Sequence, residues 1–141
     1  MENLYTNPWV TIPLTILYAC LALNFAGAIF ALNADPILIP IETKNPSFTG
    51  ITIAPFIILK NECLTYTDLR REYQHYMQQS LLTPLGFLGF YIREYLLEGS
   101  FDNVSFEQEA IKKENDSLEF EVFDIKTFKK IKVYSGMEGI E

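Results

Sequence analysis

The chain has 141 residues, 49% of them hydrophobic, and a formal net charge of −7 at pH 7. That length suggests one small domain, and an acidic chain without a basic patch argues against a nucleic-acid partner, because phosphate backbones are bound by clustered Lys and Arg. Lys126, Lys129, Lys130 and Lys132 form a small basic stretch that reads as the solvated face of a strand. The two cysteines, Cys20 and Cys63, do not suggest a disulfide framework.

Residues 9–32 carry no charge. Roughly 24 residues of this kind are enough to cross a ~30 Å hydrocarbon core as a helix. Trp9 and Tyr5 sit where an aromatic belt would lie, and Pro13 is near the start, where a helix tolerates it best. A soluble helix this apolar on all sides would have to be wrapped completely, and the remaining chain is too small for that. A signal peptide is the nearer competitor: Ala26-Gly27-Ala28 resembles a cleavage site, but no Lys or Arg precedes it. We read residues 1–34 as a membrane anchor, which makes the chain a single-pass membrane protein. Ala22, Ala26, Gly27 and Ala31 permit close helix contacts, and Asn24 can hydrogen-bond to another helix.

Asn33-Ala34-Asp35-Pro36 breaks the helix. Residues 37–41 are β-rich but contain Pro40, which predicts an edge strand. Residues 50–59 supply one long or two short strands, with Pro55 implying an edge or a bend. A central helix follows over about 68–79, with Thr65 as N-cap and Asp68 three residues later. At ~100° per residue, Asp68, Glu72, His75 and Gln79 fall within about 60° of one another and make one polar stripe. Such a stripe is usually a solvated helix face; this one combines a lone His with a Glu three residues before it and lacks Lys. Leu69, Tyr73, Tyr76 and Met77 fall on another side and are expected to face the core.

Thr83-Pro84 opens a second helix, over about 85–97, that ends at Gly99. It is strongly apolar. Packing against the central helix is the default reading, and contact with the membrane surface is the alternative. Ser105-Phe106-Glu107-Gln108 reads as a capping box for a third, short helix carrying Glu107 and Glu109. Residues 118–134 alternate as a β-hairpin with one buried face, and residues 135–141 read as a frayed tail. The expected fold class is α+β, divided into an anchor (1–34), a helix-and-strand domain (35–116) and a C-terminal hairpin with its tail (117–141).

The centre of the main helix, Arg71-Glu72-Tyr73-Gln74-His75, is one residue short of the zinc-protease signature His-Glu-x-x-His. In that signature two histidines one helical turn apart hold zinc, and the Glu between them acts as general base on a zinc-bound water. The chain contains a single histidine, so no other His can take the first position. The stretch Arg71-Glu-Tyr-Gln-His-Tyr-Met-Gln78, the aromatic-rich helix after it, and Asn103-Val-Ser-Phe-Glu-Gln-Glu-Ala110 resemble, in order and spacing, a family of small membrane-associated zincin-like metallopeptidases. The β-rich lead-in over 50–59 also resembles that family, and the likeness covers roughly residues 48–112.

The resemblance implies a zincin-like domain in which Glu72 matches the general base, His75 the second zinc ligand and Glu107 a third, carboxylate ligand. Arg71 stands where the first ligand belongs. A guanidinium stays protonated and has no lone pair to donate. Glu72, His75 and Glu107 are therefore expected to be vestigial, with no metal cofactor, and Arg71 is expected to replace the metal's charge by pairing with Glu107 or Glu109. The leading expectation is a pseudoenzyme: a membrane-anchored structural or interaction component of a membrane assembly, cellular or in a membrane-containing virion. Its expected partners are the lipid bilayer and other membrane proteins or copies of itself. The alternative is an active metal-dependent peptidase or hydrolase, with zinc at a non-standard site of Glu72, His75 and Glu107. A third reading sets the resemblance aside and leaves a single-span protein whose small α+β domain binds a partner.

Overall fold

The uncharged N-terminal run forms one continuous helix, α1 (Pro8–Asn33), in the computed structural model, which describes residues 6–137. Tyr5 and residues 138–141 of the expected frayed tail lie outside the described residues. Asn7 caps α1, its side-chain oxygen accepting from Trp9 N at 3.0 Å. By length and composition α1 is apolar enough to cross a membrane. Its buried residues begin only at Asn24 and continue with Gly27 and Ala28. The close contacts expected of these small and polar residues are made within the chain itself. Asn24 Oδ1 accepts from Leu85 N at 2.7 Å. A Cβ on Gly27 would lie 2.4 Å from the Ala54 carbonyl oxygen, so α1 can approach the backbone at residue 54 this closely only without a side chain.

Five strands follow: β1 (Ile37–Ile41), β2 (Gly50–Ile53), β3 (Phe56–Lys60), β4 (Phe120–Asp124) and β5 (Lys129–Val133). They form one mixed sheet in the order β2-β3-β1-β4-β5. Residues 50–59 are thus two antiparallel strands, joined through a turn at Ala54-Pro55. β4 and β5 form the expected hairpin. It does not stand apart, because β4 also pairs parallel with β1 and extends the same sheet.

The edge position expected for β1 is corrected: β1 lies at the centre of the sheet. It pairs with β3 along its whole length but with β4 only at Ile37 and Leu38. Phe123 N and Ile125 N donate to the carbonyls of Pro36 and Leu38, so the even-numbered residues turn their backbone groups toward β4. Pro40 is next in that series, and by then β4 has ended. Its missing N–H therefore interrupts no ladder, which is the condition under which a sheet admits proline.

The central helix, α2 (Tyr66–Leu82), packs across the sheet and is capped by Thr65. Leu69 and Tyr76 are buried in the core as expected, and Tyr73 stacks on Phe120 of β4 with ring centroids 4.1 Å apart. The next helix, α3 (Pro84–Glu98), is capped by Thr83, whose hydroxyl accepts from Gly86 N at 3.2 Å, and ends on Gly99 at φ 72°. Phe87 is the one residue of α3 that is buried. The last helix is α4 (Ser105–Lys113). Its expected capping box does not form. Ser105 instead donates both its N–H and its hydroxyl to Glu94 of α3, at 2.7 Å each. A carboxylate is a stronger acceptor than the Gln108 amide or a backbone partner, and the exchange ties α3 to α4.

Two side chains tie edge strand β2 to α2: Thr52, whose hydroxyl donates to Glu72, and Gln79. Gln79 is 2% exposed; its Oε1 accepts from Ala54 N at 2.7 Å and its Nε2 donates to Thr52 O at 2.6 Å. The amide thus occupies the place of a neighbouring strand. Gln79→Leu removes both partners and leaves a buried N–H and a buried C=O unsatisfied, at about 1–3 kcal/mol each. We expect a cooperative drop in stability of that order in denaturant unfolding of the detergent-solubilised chain; an unchanged midpoint would show that β2 is held elsewhere.

Candidate functional site around His75

The polar stripe of α2 is a buried face rather than a solvated one. Glu72, Gln74, His75, Gln78 and Gln79 are all buried, and of the four residues that defined the stripe only Asp68 is not. A buried polar group without a partner costs several times what a hydrogen bond contributes, so each of these side chains must meet something on a neighbouring element. Glu72 Oε2 accepts from the Thr52 hydroxyl of β2 at 2.6 Å. Gln78 Nε2 donates to the Phe106 carbonyl of α4 at 3.2 Å. Gln74 donates to Glu109 of α4 and accepts from Arg70.

His75 is gripped at both ring nitrogens. The Phe106 contact turns the amide oxygen of Gln78 toward the imidazole, so Nδ1 carries a proton and donates to Gln78 Oε1 at 2.8 Å. Nε2 lies 3.1 Å from Glu107 Oε1, which also accepts from the Tyr91 hydroxyl of α3 at 3.1 Å. Two acceptors facing the two nitrogens are satisfied together only by an imidazolium. Burial pushes the His75 pKa down, but the hydrogen bond and charge of Glu107, with Glu72 and Gln78 adding to them, outweigh it and raise the pKa above its ordinary value. Burial works the other way on Glu107, and the hydrogen bond and charge of His75, then Tyr91 and Arg71, bring its pKa below the ordinary value. Glu72 is raised by burial, against the charge of His75 and the Thr52 hydroxyl. Tyr91 is raised by burial and by Glu107.

These groups share a cavity of about 520 Å³ between β2, α2, α3 and α4. Glu72, His75, Glu107 and Tyr91 supply its polar wall, while Ile51, Ile53, Leu85 and Leu88 supply apolar surface. This is the size range of small-molecule sites.

The structure brings Glu72, His75 and Glu107 to one wall, and it corrects the ion pair expected of Arg71. The Arg71 guanidinium pairs with Asp68 at 3.3 Å, while Glu107 takes His75 and Glu109 takes Gln74. Asp68 is on the same helix face at i−3, within easy reach, and His75 already occupies Glu107. Arg71 acts on Glu107 and Glu72 only through its charge, lowering both. The α2–α4 bridge assigned to Arg71 is made by His75–Glu107, Gln78–Phe106 and Gln74–Glu109 instead.

The zinc implied by the resemblance does not fit this donor set. Catalytic zinc takes three protein ligands. Here one imidazole nitrogen and one carboxylate converge, Glu72 is held by Thr52, and the helical position one turn before His75 is a cation. Among the described residues no group of three or more His, Cys, Asp and Glu side chains is arranged to hold a metal ion.

Thr52, Gln78 and Tyr91 carry the site without having been given roles from the sequence. Gln78 was open to such a reading, since it follows His75 at i+3, where helical side chains meet. Thr52 and Tyr91 reach the site across tertiary contacts that leave no mark on local spacing. No protein-family model, curated protein or solved structure matches this chain.

The chain's single histidine makes its titration unambiguous. We expect the His75 ring to titrate above its ordinary value of 6.5 by NMR, and Glu107→Gln to bring it below that value, because burial then acts with one opposing charge fewer. The stability follows with a definite sign. The raised His75 pKa contributes fully below about pH 6.5 and is lost as pH rises through the folded value; the lowered Glu107 pKa contributes above about pH 4.5 and is lost as pH falls through its folded value. The pair's contribution therefore peaks between these limits. There, Glu107→Gln is expected to cost about 1.5–3 kcal/mol, and a loss that does not vary with pH would count against the pair.

Proposed function

We propose that the chain is a single-pass membrane protein whose domain is a zincin-like module without a metal centre, acting as a structural or interaction component of a membrane assembly, cellular or in a membrane-containing virion. The observation that carries this reading is the state of the metal-ligand positions: the imidazole and carboxylate that would share a metal face each other at 3.1 Å. In an active relative the metal would join the central helix to the helix bearing the carboxylate ligand. Here the His75–Glu107 pair does that, backed by Gln78 and Gln74, and Arg71 with Asp68 closes the first-ligand position. Breaking a buried ion pair from one side is strongly destabilising, which suits a scaffold more than a site that must open to a metal. The partners are the lipid bilayer and neighbouring membrane proteins or further copies of this chain.

One observation favours a hydrolytic reading: Glu72, His75 and Glu107 line the same ligand-sized cavity. Metal analysis of the detergent-purified chain beside Arg71→His separates the two. The scaffold reading expects no zinc in the unmodified chain and stoichiometric zinc in Arg71→His, where the new imidazole restores a second nitrogen ligand one turn from His75. Stoichiometric zinc in the unmodified chain would reverse the order of the readings, and metal-dependent cleavage lost on Glu72→Gln would then establish the hydrolase.

A further inference from the structure

α3 presents an apolar face that no element among the described residues covers. At ~100° per residue Leu85, Leu88, Ile92 and Leu96 fall within about 80° of one another. They are 47%, 49%, 48% and 75% exposed. The side that docks is formed by Phe87, Tyr91 and Glu94: Phe87 is buried, Tyr91 donates to Glu107 and Glu94 accepts from Ser105. Leu81, at the exit of α2 just before this helix, is 81% exposed.

Where α3 begins follows from α1. The first residue of α1 buried against the domain is Asn24, and Asn24 accepts from Leu85 N in the first turn of α3. The free part of α1, residues 8–23, is roughly 16 residues and rises only about 24 Å. A hydrocarbon core is ~30 Å thick. The missing ~6 Å corresponds to about four further residues of α1, which carries the hydrocarbon past Asn24 to the level of Gly27 and hence past the start of α3.

The backbone there is built for such a place. Pro84 has no N–H, Leu85 N is taken by Asn24, Gly86 N by the Thr83 hydroxyl and Phe87 N by the Thr83 carbonyl. The first-turn donors that lack an intrahelical acceptor take a side chain or water; here both Leu85 N and Gly86 N take side chains, as lipid would require.

We infer that α3 lies in the lipid of the membrane that α1 crosses, with Leu85, Leu88, Ile92 and Leu96 against hydrocarbon, so that the cavity beside Glu72 and His75 opens toward the membrane. This rests on the membrane-anchor reading of α1. Leu85 and Leu88 belong both to the exposed stripe and to the cavity lining, so they form one side of its rim, with Ile51 and Ile53 of β2 exposed on another. Arg93, to one side of the stripe, has the length to keep its guanidinium at the headgroups while its stem stays with the apolar face. The domain then rests on the bilayer along α3, in the manner of an interfacial helix.

The test uses the full chain in phosphatidylcholine vesicles. Trp9→Phe removes the single tryptophan, and Leu88→Trp, Ile92→Trp and Leu17→Trp are then made one at a time. Leu17, midway along the free part of α1, reports on the anchor; Ile92 keeps the test alive if Leu88→Trp disturbs the cavity. We expect tryptophan at 88 and 92 to be blue-shifted, quenched by lipids brominated on the acyl chains and protected from aqueous iodide, as at 17. Quenching by bromine at 17 with iodide access at 88 and 92 would overturn the inference and leave the anchor standing. Protection at 88 and 92 from both quenchers would also overturn it, since a protein surface or a second copy would then cover the stripe. No bromine quenching at 17 would remove the anchor reading and this inference with it.

Discussion

A helix that turns five polar side chains inward must find a partner for each of them, and that requirement shapes this domain. Glu72, Gln74, His75, Gln78 and Gln79 are buried on α2. Unsatisfied, they would cost more than the small core could return. The partners lie on two neighbours: Thr52 and the Ala54 N–H on β2 and the turn after it, and the Phe106 carbonyl with the carboxylates of Glu107 and Glu109 on α4. Hydrogen bonds therefore tie β2 and α4 to α2, and α3 joins them through the Tyr91 hydroxyl on Glu107 and the Phe87 ring against His75. The apolar core proper, around Leu38, Ile57, Leu59, Leu69, Val122 and Val133, lies on the other side of α2, against the sheet.

The same arrangement explains how α2 is held against α4. His75 and Glu107 attract each other strongly enough to raise one pKa and lower the other despite burial. Their contact at 3.1 Å joins α2 to α4. Arg71 is spared that task and sits with Asp68, its charge felt at the site only at a distance. The domain and α1 are likewise one structure. Gly27 brings α1 against the backbone at Ala54, and Asn24 closes the first turn of α3, so α1 is packed into the domain at its C-terminal end instead of being tethered to it by a linker.

Much of the secondary structure was legible because its signals are local. Thr65, Thr83-Pro84 and Gly99 mark helix ends by what their own side chains or backbones do within one turn, and the structure uses each of them so. The alternation in residues 118–134 specified a hairpin. The failures share a cause. Pro40 argued for an edge, but whether a missing N–H matters depends on where β4 stops. Ser105 and Gln108 spelled a capping box, but Glu94 arrived from another helix with a better acceptor. Arg71 was expected at Glu107, but two nearer partners settled the matter, Asp68 for Arg71 and His75 for Glu107.

The sequence by itself determined an α+β chain with an apolar N-terminal helix and the positions of the other helices. These follow from periodicity, capping and the order of motifs, all of which act over a few residues or along one helix face. Only the tertiary structure decided that the polar stripe of α2 is buried, that Thr52, Gln78 and Tyr91 complete the site, and that α3 keeps an uncovered apolar face. The physical reason is that a side chain's partner is set by which other elements come within about 3 Å of it, and that depends on packing between segments far apart in the chain.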